Sequence, residues 1–367
     1  MPKQGGGMEI FMSKKVLAAM SGGVDSSVCA VILKEQGYDV SGVTLKLFDN
    51  EDIGEHQRTC CSLSDIEDAR FVCNKIGIDH FVYNFKENFQ KNVIEKFINS
   101  YENGLTPNPC IDCNRYVKFR ALLKRIDELQ VDYIATGHYA KVEYCEKCER
   151  YLLKKSNDTK KDQTYVLYNL TQDELKHVLF PLGSMTKHET REIAEKYGFS
   201  NAQKPDSQDI CFVPDGDYAS FIKHRRGYDF KEGDFTDKDG NVLGRHKGLI
   251  NYTNGQRKGL GIAFGKPMYV VGKDLKNNRV ILGDEKDLYT DTLYASDINL
   301  ISVSEIKGEM RVSAKTRYSQ TETPATVTQL SPDRIKIVFD TPVRAVTSGQ
   351  AVVMYDGDIV VGGGVIE

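Results

Sequence analysis

The sequence lacks the features that would mark a membrane or secreted protein. Its 367 residues contain no run of about eighteen apolar residues, and residues 1–14 lack the long apolar core of a secretory signal. Net charge is also small, because 49 basic and 52 acidic residues leave only −3, which gives no overall signature of nucleic-acid binding. We therefore expect a cytoplasmic protein with no membrane partner, in which any contact with nucleic acid depends on local features.

A phosphate-binding loop of the Walker type is absent too, since no Gly-x4-Gly-Lys-Ser/Thr pattern occurs. The nine cysteines do not indicate a disulfide framework, because the expected compartment is reducing. Reactive, metal-binding or core cysteines are expected instead. At this length, two or three domains are expected rather than a single core.

The N-terminal part alternates short apolar runs, typical of strands, with amphipathic stretches, typical of helices. Predicted strands begin at Lys15, Val40, Phe81 and Tyr133. This alternation predicts an α/β fold with a doubly wound parallel sheet, whose ligands bind at the carboxyl ends of the strands. Beyond about Pro214 the helical patterns stop, and turn signals between short runs predict two small all-β domains. The expected domains are residues 1–211, 212–285 and 286–367.

The first predicted strand leads into Ser21-Gly22-Gly23-Val24-Asp25-Ser26-Ser27, and an amphipathic helix follows. Glycines at such a junction let backbone N–H groups face an anion, and the helix N-terminus adds its unpaired donors. The serines add hydroxyl donors, and Asp25 places a carboxylate where a phosphate-bound divalent cation would lie. A glycine pair before a helix is often only a tight turn. Three hydroxyls and one acid in the same stretch favour a polyphosphate site.

Two further loops carry cysteines with a possible chemical role. Cys110 and Cys113 come just before a predicted helix, whose N-terminus, together with Arg115 and Lys118, would favour the thiolate form. A thiolate is the nucleophile that an ATP-activated carbonyl invites. Cys211 lies 98 residues beyond Cys113 in another loop, and by itself a single loop cysteine is usually structural.

Other cysteines and charges have plainer interpretations. Cys29 and Cys73 fall on apolar helix faces and are predicted to pack in the core. Cys145 and Cys148 lie at the tip of a predicted hairpin, which we expect to be exposed and dispensable, because a zinc site would need two further ligands nearby. The basic loop that follows the hairpin would ordinarily be a solvated turn.

Several motifs of the chain resemble those of known families. The stretch Ser21–Ser26 is similar to the signature of the PP-loop ATP pyrophosphatases, which cleave ATP between the α and β phosphates and adenylate a carbonyl oxygen. Its conjunction with five other motifs, in this order along nearly the whole chain, resembles the bacterial tRNA-specific 2-thiouridylases. The five are Asn108-Pro109-Cys110-x-x-Cys113-Asn114, Thr136-Gly137-His138-Tyr139, Lys161-Asp162-Gln163, Asp209-Ile210-Cys211-Phe212 and Gly255-Gln256-Arg257-Lys258-Gly259-Leu260-Gly261.

The resemblance implies a tRNA-uridine 2-sulfurtransferase. In that family ATP adenylates O2 of the wobble uridine at position 34 of tRNA, and a persulfide sulfur then replaces oxygen at C2, with release of AMP and pyrophosphate. Cys211 matches the persulfide-bearing cysteine, and Cys113 matches the second catalytic cysteine, which assists sulfur release and can form a transient disulfide with Cys211. The implied cofactor is ATP with Mg²⁺. The implied partners are tRNAs of the Lys, Glu and Gln type and a sulfur-relay protein fed by a cysteine desulfurase.

The resemblance also assigns binding residues. Those matching the ATP site are Ala19, Met20, Ser21, Gly22, Gly23, Val24, Asp25, Ser26, Leu45 and Gly137. Those matching tRNA contacts are Asn108, Pro109, Cys110, His138, Lys161, Asp162, Gln163, Arg317, Tyr318 and Gln350. Some family members carry an acidic residue where this chain has Cys110. The trio Cys110, Cys113 and Cys211 therefore also suggests the hypothesis of a [4Fe–4S] cluster with an open fourth position.

Two other functions fit parts of the pattern. A PP-loop amidotransferase-like synthetase would need an ammonia source, and the sequence shows neither a glutaminase domain nor a use for Cys113 and Cys211 in such an enzyme. A metal-binding or sulfur-carrier protein would use ATP only structurally. Pyrophosphate release separates the three functions, because the carrier gives none and the synthetase needs no tRNA.

Overall fold

A computed structural model describes residues 13–48, 63–206, 210–262 and 265–367. Two of the nine cysteines, Cys60 and Cys61, and Asp209 of the Cys211 motif lie outside these residues. The strands are β1 Lys15–Ala19, β2 Asp39–Lys46, β3 His80–Asn84, β4 Tyr133–Ala135, β5 Ala140–Cys145, β6 Arg150–Lys155, β7 Val178–Leu179, β8 Gly233–Thr236, β9 Val242–His246, β10 Tyr269–Asp274, β11 Arg279–Gly283, β12 Tyr289–Leu300, β13 Glu309–Lys315, β14 Thr323–Ser331, β15 Arg334–Arg344, β16 Ala351–Asp356 and β17 Ile359–Ile366.

The α-helices are shorter and more broken than the sequence pattern suggests. They are α1 Val24–Glu35, α2 Leu63–Ile76, α3 Lys86–Phe89, α4 Glu95–Glu102, α5 Pro109–Asp112, α6 Arg120–Leu123, α7 Ile126–Leu129, α8 Gln172–Leu175, α9 Lys187–Lys196 and α10 Tyr218–Arg226. Two π-helical segments, Gln90–Ile94 and Cys113–Phe119, join α3 to α4 and α5 to α6. The second begins at one of the candidate catalytic cysteines, and wide turns of this kind occur frequently at functional sites.

The first sheet is the predicted doubly wound parallel sheet, with strand order β3-β2-β1-β4-β7 and every neighbouring pair parallel. Its central strand β1 is buried on both faces: Val16 and Ala18 belong to the apolar cluster on one side, and Leu17 belongs to the cluster on the other. The strand order reverses between β1 and β4. In such sheets ligands bind outside the carboxyl ends of the strands at this reversal, which is where Met20 and Thr136 leave β1 and β4.

A small four-stranded sheet, β10-β11-β8-β9, follows the parallel sheet along the chain, and one helix, α10, precedes it. The expectation that helices stop near Pro214 is therefore wrong. Helix α10 is capped by the Asp217 side chain, which accepts a hydrogen bond from the Ser220 N–H, and it ends at Gly227 with φ +72°. Its sequence pattern is weak because only Ile222 among its nine residues is fully buried.

The C-terminal strands close into a six-stranded barrel, in the order β12-β15-β14-β13-β16-β17 with β12 and β17 also paired. The α/β fold followed by two β domains is thus confirmed. The β5–β6 hairpin exists as predicted, but its body is packed against the barrel rather than exposed. Strand β6 pairs with β17 at Lys154 opposite Ile359, Leu153 is completely buried, and Arg150 Nε donates to the Ile301 carbonyl at 2.7 Å. Among the helices that the structure describes, none combines the length and apolar character needed to cross a membrane.

Candidate active site

The glycine loop between β1 and α1 is folded by its own serines. Gly23 is the N-cap of α1 in an extended conformation, and no side chain makes a capping hydrogen bond to the first turn of the helix. Both Ser26 and Ser27 donate to the Gly23 carbonyl at 3.0 Å, and Ser26 Oγ accepts from the Ser21 N–H at 3.1 Å. The loop therefore holds its shape while leaving the N-terminus of a twelve-residue helix open to an anion.

Gly22 is required by both conformation and space. Its φ is +73°, and a Cβ there would lie 2.5 Å from the backbone oxygen of Asp65 in α2. Asn201, which the sequence analysis did not single out, donates to the Gly22 carbonyl at 2.9 Å and lies 2.9 Å from Ser27 Oγ. Lys204 binds Asp65 at 2.6 Å and Asp68 at 2.9 Å. The loop is thus held between α2 and the segment that follows α9.

The neighbouring strands bring other predicted ATP residues to the same place. A Cβ on Gly137, just after β4, would lie 2.7 Å from the Asp25 carbonyl carbon and 2.8 Å from the Ser26 nitrogen, so Gly137 packs directly on α1. Met20 donates to the Val43 carbonyl at 2.7 Å, which fixes the end of β1 beside β2. Leu45 is buried at the end of β2. The carboxyl ends of β1, β2 and β4 thus surround the glycine loop.

Asp25 is held by residues from two other elements. Lys187, the first residue of α9, places Nζ 2.8 Å from both carboxylate oxygens, and the Tyr139 hydroxyl donates to Oδ1 at 2.9 Å. Burial first, and then the Asp25 charge, raise the pKa of Tyr139, which keeps it a hydrogen-bond donor. The sequence assigned no role to either partner of Asp25, because Tyr139 is 114 and Lys187 is 162 residues away along the chain.

A second carboxylate, Asp206, extends this network toward the Cys211 loop. It contacts Lys187 at 2.7 Å, Lys161 at 2.7 Å and Arg191 at 3.5 Å. Burial acts to raise the pKa of Asp206, but hydrogen bonds from Lys161 and Lys187 outweigh it and hold the pKa below its usual value. Asp206 therefore stays ionised as the centre of a group of cations beside the glycine loop.

The two candidate catalytic cysteines lie in one apolar cluster, although 98 residues separate them in the sequence. Cys113 is 7% exposed, and Cys211 is half-buried against the same group of side chains. Phe212 anchors the Cys211 loop, with ring centroids 5.2 Å from Phe97 and 5.7 Å from Phe89. The cluster also contains Leu17 of β1 and Leu45 of β2, so it lies under the same sheet whose strand ends carry the glycine loop.

The loop before Cys113 is ordered by local contacts. Asn108 caps the short helix α5, since its side-chain oxygen accepts from the Cys110 N–H at 3.1 Å, and Pro109 occupies the first helical position. Arg115, which the sequence suggested as a source of positive charge for the thiol, pairs with Asp297 of β12, with Nη2 3.0 Å from Oδ1. Much of the Arg115 charge is therefore compensated by the C-terminal barrel.

The residues matched to tRNA contacts divide into buried and accessible ones. Asp162 is buried and accepts from the Ser156 N–H at 3.1 Å and the Thr164 hydroxyl at 2.6 Å, while Gln163 accepts from the Tyr139 N–H at 2.9 Å. These contacts shape the loop itself. Lys161 is more exposed and reaches Asp206.

Of the remaining matched residues, His138 and Arg317 are engaged within the protein, whereas Tyr318 is accessible. Burial lowers the pKa of His138 well below its usual value, so the ring is neutral at physiological pH, and Nδ1 lies 2.6 Å from Thr136 Oγ1. Arg317 donates to the carbonyls of Arg344 and Ala345, each at 2.8 Å. Tyr318 is 45% exposed, burial raises its pKa, and its ring centroid lies 6.1 Å from that of Tyr165.

The cysteines do not fit a resident cluster in this structure. Across the described ranges, no three Cys, His, Asp or Glu side chains come together as a group that could hold a metal ion. Cys110 is exposed on α5, whereas Cys113 is buried in the apolar cluster. The described residues therefore give no support to the hypothesis of an iron–sulfur cluster.

The parallel sheet, the open helix N-terminus at its reversal point and the two following β domains define a nucleotide-binding α/β protein with appended barrels. Family models match the chain in three pieces: a tRNA methyl transferase HUP domain at residues 14–215, a tRNA methyl transferase PRC-barrel domain at 219–284 and an aminomethyltransferase β-barrel domain at 290–366.

Curated relatives specify the family further. The chain is 55% identical over 358 residues to a tRNA-specific 2-thiouridylase MnmA of Clostridioides difficile, covering 98% of this chain and 99% of the relative. It is 54% identical over 356 residues to the protein of that name from Acetivibrio thermocellus, covering 96% and 99%. The chain belongs to the tRNA-specific 2-thiouridylase family, which confirms the resemblance found in its motifs.

Proposed function

We propose that this protein catalyses the ATP-dependent 2-thiolation of the wobble uridine, position 34, of tRNA. Family membership supports the overall reaction. The observation that carries the mechanism is that Cys113 and Cys211 share one apolar cluster beneath the strand ends that hold the glycine loop. The reaction needs both thiols and the adenylating phosphate to reach one uracil ring, and placing the two cysteines in one cluster under the same sheet supports this arrangement.

The first step activates the base. The C2 carbonyl of uridine is a poor electrophile without a leaving group, so O2 attacks the α-phosphorus of ATP, the bond from that phosphorus to the bridging oxygen breaks, and pyrophosphate leaves. The open N-terminus of α1 and the N–H groups of the glycine loop would stabilise the phosphate charge. Asp25, whose side chain is one-third exposed, would hold Mg²⁺, which neutralises the phosphates when bound.

The second step delivers sulfur. The terminal sulfur of a persulfide on Cys211 attacks C2, and AMP departs with the former O2, leaving the base joined to Cys211 through two sulfurs. The Cys113 thiolate then attacks Cys211 Sγ, the sulfur–sulfur bond to the base breaks, and 2-thiouridine is released. The products are a thiolated base and a Cys113–Cys211 disulfide, which a thiol reductant must reduce before the next turnover.

Sulfur and substrate come from outside the chain. We propose that a sulfur-relay protein fed by a cysteine desulfurase loads the persulfide on Cys211, and that tRNAs of the Lys, Glu and Gln type supply the uridine. The target base must leave its stack to reach the site. The exposed ring of Tyr318 is suited to stack on a displaced base, and Lys161 is suited to contact phosphate.

Mass spectrometry of tRNA nucleosides tests the proposal. Unmodified tRNA is incubated with the protein, ATP, magnesium, a persulfide donor and a thiol reductant, and both 2-thiouridine and AMP are quantified. We expect tRNA-dependent AMP formation that Asp25→Ala abolishes, and no 2-thiouridine from Cys211→Ser or Cys113→Ser. Cys29→Ser is the matched control, because Cys29 is fully buried on the opposite face of the sheet. Thiolation that survives in Cys211→Ser would contradict the assignment of that residue.

A further inference from the structure

A lysine outside the family motifs, Lys187, lies beside Asp25 at the ATP site. We propose that Lys187 is a phosphate-binding residue of this site, which Asp25 and Asp206 hold in place until the nucleotide arrives. The inference rests on the proposed function only in taking ATP as the ligand of the glycine loop.

The position of Lys187 supports a ligand-binding role. Its side chain is only 12% exposed, and its ammonium group lies within 2.8 Å of both oxygens of Asp25, which is the second residue of α1. The ammonium group is therefore beside the open helix N-terminus at which the phosphates are expected. A lysine there provides a compact cation on a flexible stem, which can move from a carboxylate to a phosphate oxygen without rearranging the backbone.

The stability of α9 does not explain this lysine. Lys187 is the first residue of the helix, where the positive end of the helix dipole disfavours a cation. The N-terminus of α9 is already satisfied by other groups, because Thr186 and Glu189 form a capping box and the Lys187 N–H donates to Asp158 at 3.0 Å. These contacts fix the backbone from which the side chain reaches Asp25.

The charges around Lys187 also favour an anion. Three cations, Lys161, Lys187 and Arg191, meet two carboxylates, Asp25 and Asp206, in this network. Within these ion pairs the cations outnumber the carboxylates by one, and the nearby Asp158 carboxylate is already engaged by the Lys160 and Lys187 N–H groups. If Mg²⁺ takes Asp25 when the nucleotide binds, Lys187 loses one carboxylate partner and the phosphate chain can replace it.

Direct binding measurements with ATP, ADP and AMP test the role of Lys187. We expect Lys187→Met to weaken ATP binding at least about tenfold, as for the loss of a charged hydrogen bond, and to weaken AMP binding far less, because AMP lacks the β and γ phosphates. Lys187→Arg should recover part of the ATP affinity. Lys196→Met is the matched control, since Lys196 is exposed in the last turn of the same helix and should bind ATP like the wild type.

Each outcome decides a separate point. A purely structural role would weaken AMP and ATP binding equally, because a collapsed loop would lose both ligands, and that result would overturn the inference. Unchanged ATP affinity in Lys187→Met would overturn it as well. The assay contains neither tRNA nor a sulfur donor. If tRNA is not thiolated while the ATP-specific loss is observed, the proposed function fails and the role of Lys187 stands.

Discussion

The phosphate loop and the thiol site of this protein are assembled in different ways. The loop consists of seven consecutive residues whose serines and backbone bond mainly to one another. The thiol site joins two loops from distant parts of the chain through apolar packing, and it includes Phe221 and Ile222 of α10 from beyond the parallel-sheet domain. The function of the phosphate loop should therefore depend mainly on its own residues, whereas the function of the thiol site should depend on the packing of the whole cluster.

The largest expected effect comes from breaking that packing. Phe212→Ala should lower the free energy of unfolding by about 3–5 kcal/mol, because Phe212 is fully buried among three other aromatic rings. We expect the variant to lose sulfur transfer at temperatures where it is still folded and binds ATP. Chemical denaturation and nucleoside mass spectrometry measure the two effects. Phe212→Leu keeps most of the side-chain volume and should lose less stability and less sulfur transfer. Equal sulfur transfer by the wild type and both variants would show that the thiols do not depend on the packing of the cluster.

A substitution in the phosphate loop should cost less stability than Phe212→Ala but should weaken ATP binding. Gly22→Ala would place a Cβ 2.5 Å from the Asp65 backbone oxygen at a φ of +73°. It should lower the free energy of unfolding by about 1–3 kcal/mol through strain and displacement of α2. ATP affinity, measured by direct binding, should fall at least about tenfold, because the loop N–H groups are displaced from the phosphates.

Gly37→Ala is a matched control for that variant. Gly37 follows the other end of α1 with a φ of +85°, but nothing lies within 4 Å of its added Cβ. Gly37→Ala should therefore lower the free energy of unfolding through backbone strain alone, on the order of 1 kcal/mol, and leave ATP binding unchanged. A Gly37→Ala protein with weakened ATP binding would show that general loss of stability explains the Gly22 result.

This comparison also explains which features the sequence could predict. The strands and the glycine loop depend on neighbours in the chain, so residue patterns predicted the parallel sheet, whereas helix α10 has too weak an apolar pattern to be recognised. Contacts between distant residues left no such pattern. The pairing of Lys187 with Asp25 joins helices far apart in the sequence, and the docking of the β5–β6 hairpin depends on strand β17. The shared location of Cys113 and Cys211 was expected only through the family resemblance.

Lys273 offers a smaller test, because it contacts the segment before the thiol loop from the neighbouring four-stranded sheet. It lies on β10, and its amine donates to the Gly104 carbonyl at 3.2 Å, shortly before the segment that leads to Cys110. Burial lowers the pKa of Lys273 from 10.5 to about 8. Between these values the unfolded chain binds more protons than the folded protein, so this residue makes unfolding less favourable as pH rises from about 8 to about 10.5.

Denaturation at several pH values measures this contribution. From pH 7.5 to pH 10, the wild type should gain on the order of 1–2 kcal/mol in unfolding free energy relative to Lys273→Met. Lys276→Met, at an exposed position of the same hairpin, should follow the wild type across this range. Parallel pH curves for wild type and Lys273→Met would show that burial does not lower the pKa of this lysine.

The smallest effect is expected at the tip of the β5–β6 hairpin, and it tests whether the reactive thiols are confined to the packed cluster. Cys148 is exposed, Cys145 is half-buried, and the Cys148 thiol lies 3.8 Å from the Cys145 carbonyl oxygen. Replacing both by serine should change the free energy of unfolding by less than about 0.5 kcal/mol, because the turn keeps its backbone pairing and loses no core volume.

Thiolation by the Cys145→Ser/Cys148→Ser protein should match the wild type with either a small-molecule persulfide or a protein sulfur donor. The two donors matter because an exposed cysteine pair could accept sulfur from a partner protein without taking part in the chemistry at the base. A loss with the protein donor alone would make the hairpin a docking or relay site for sulfur. A loss with both donors would mean that the thiol site extends beyond the cluster of Cys113 and Cys211. Sulfur transfer would then depend on exposed hairpin residues as well as on the packed thiol pair.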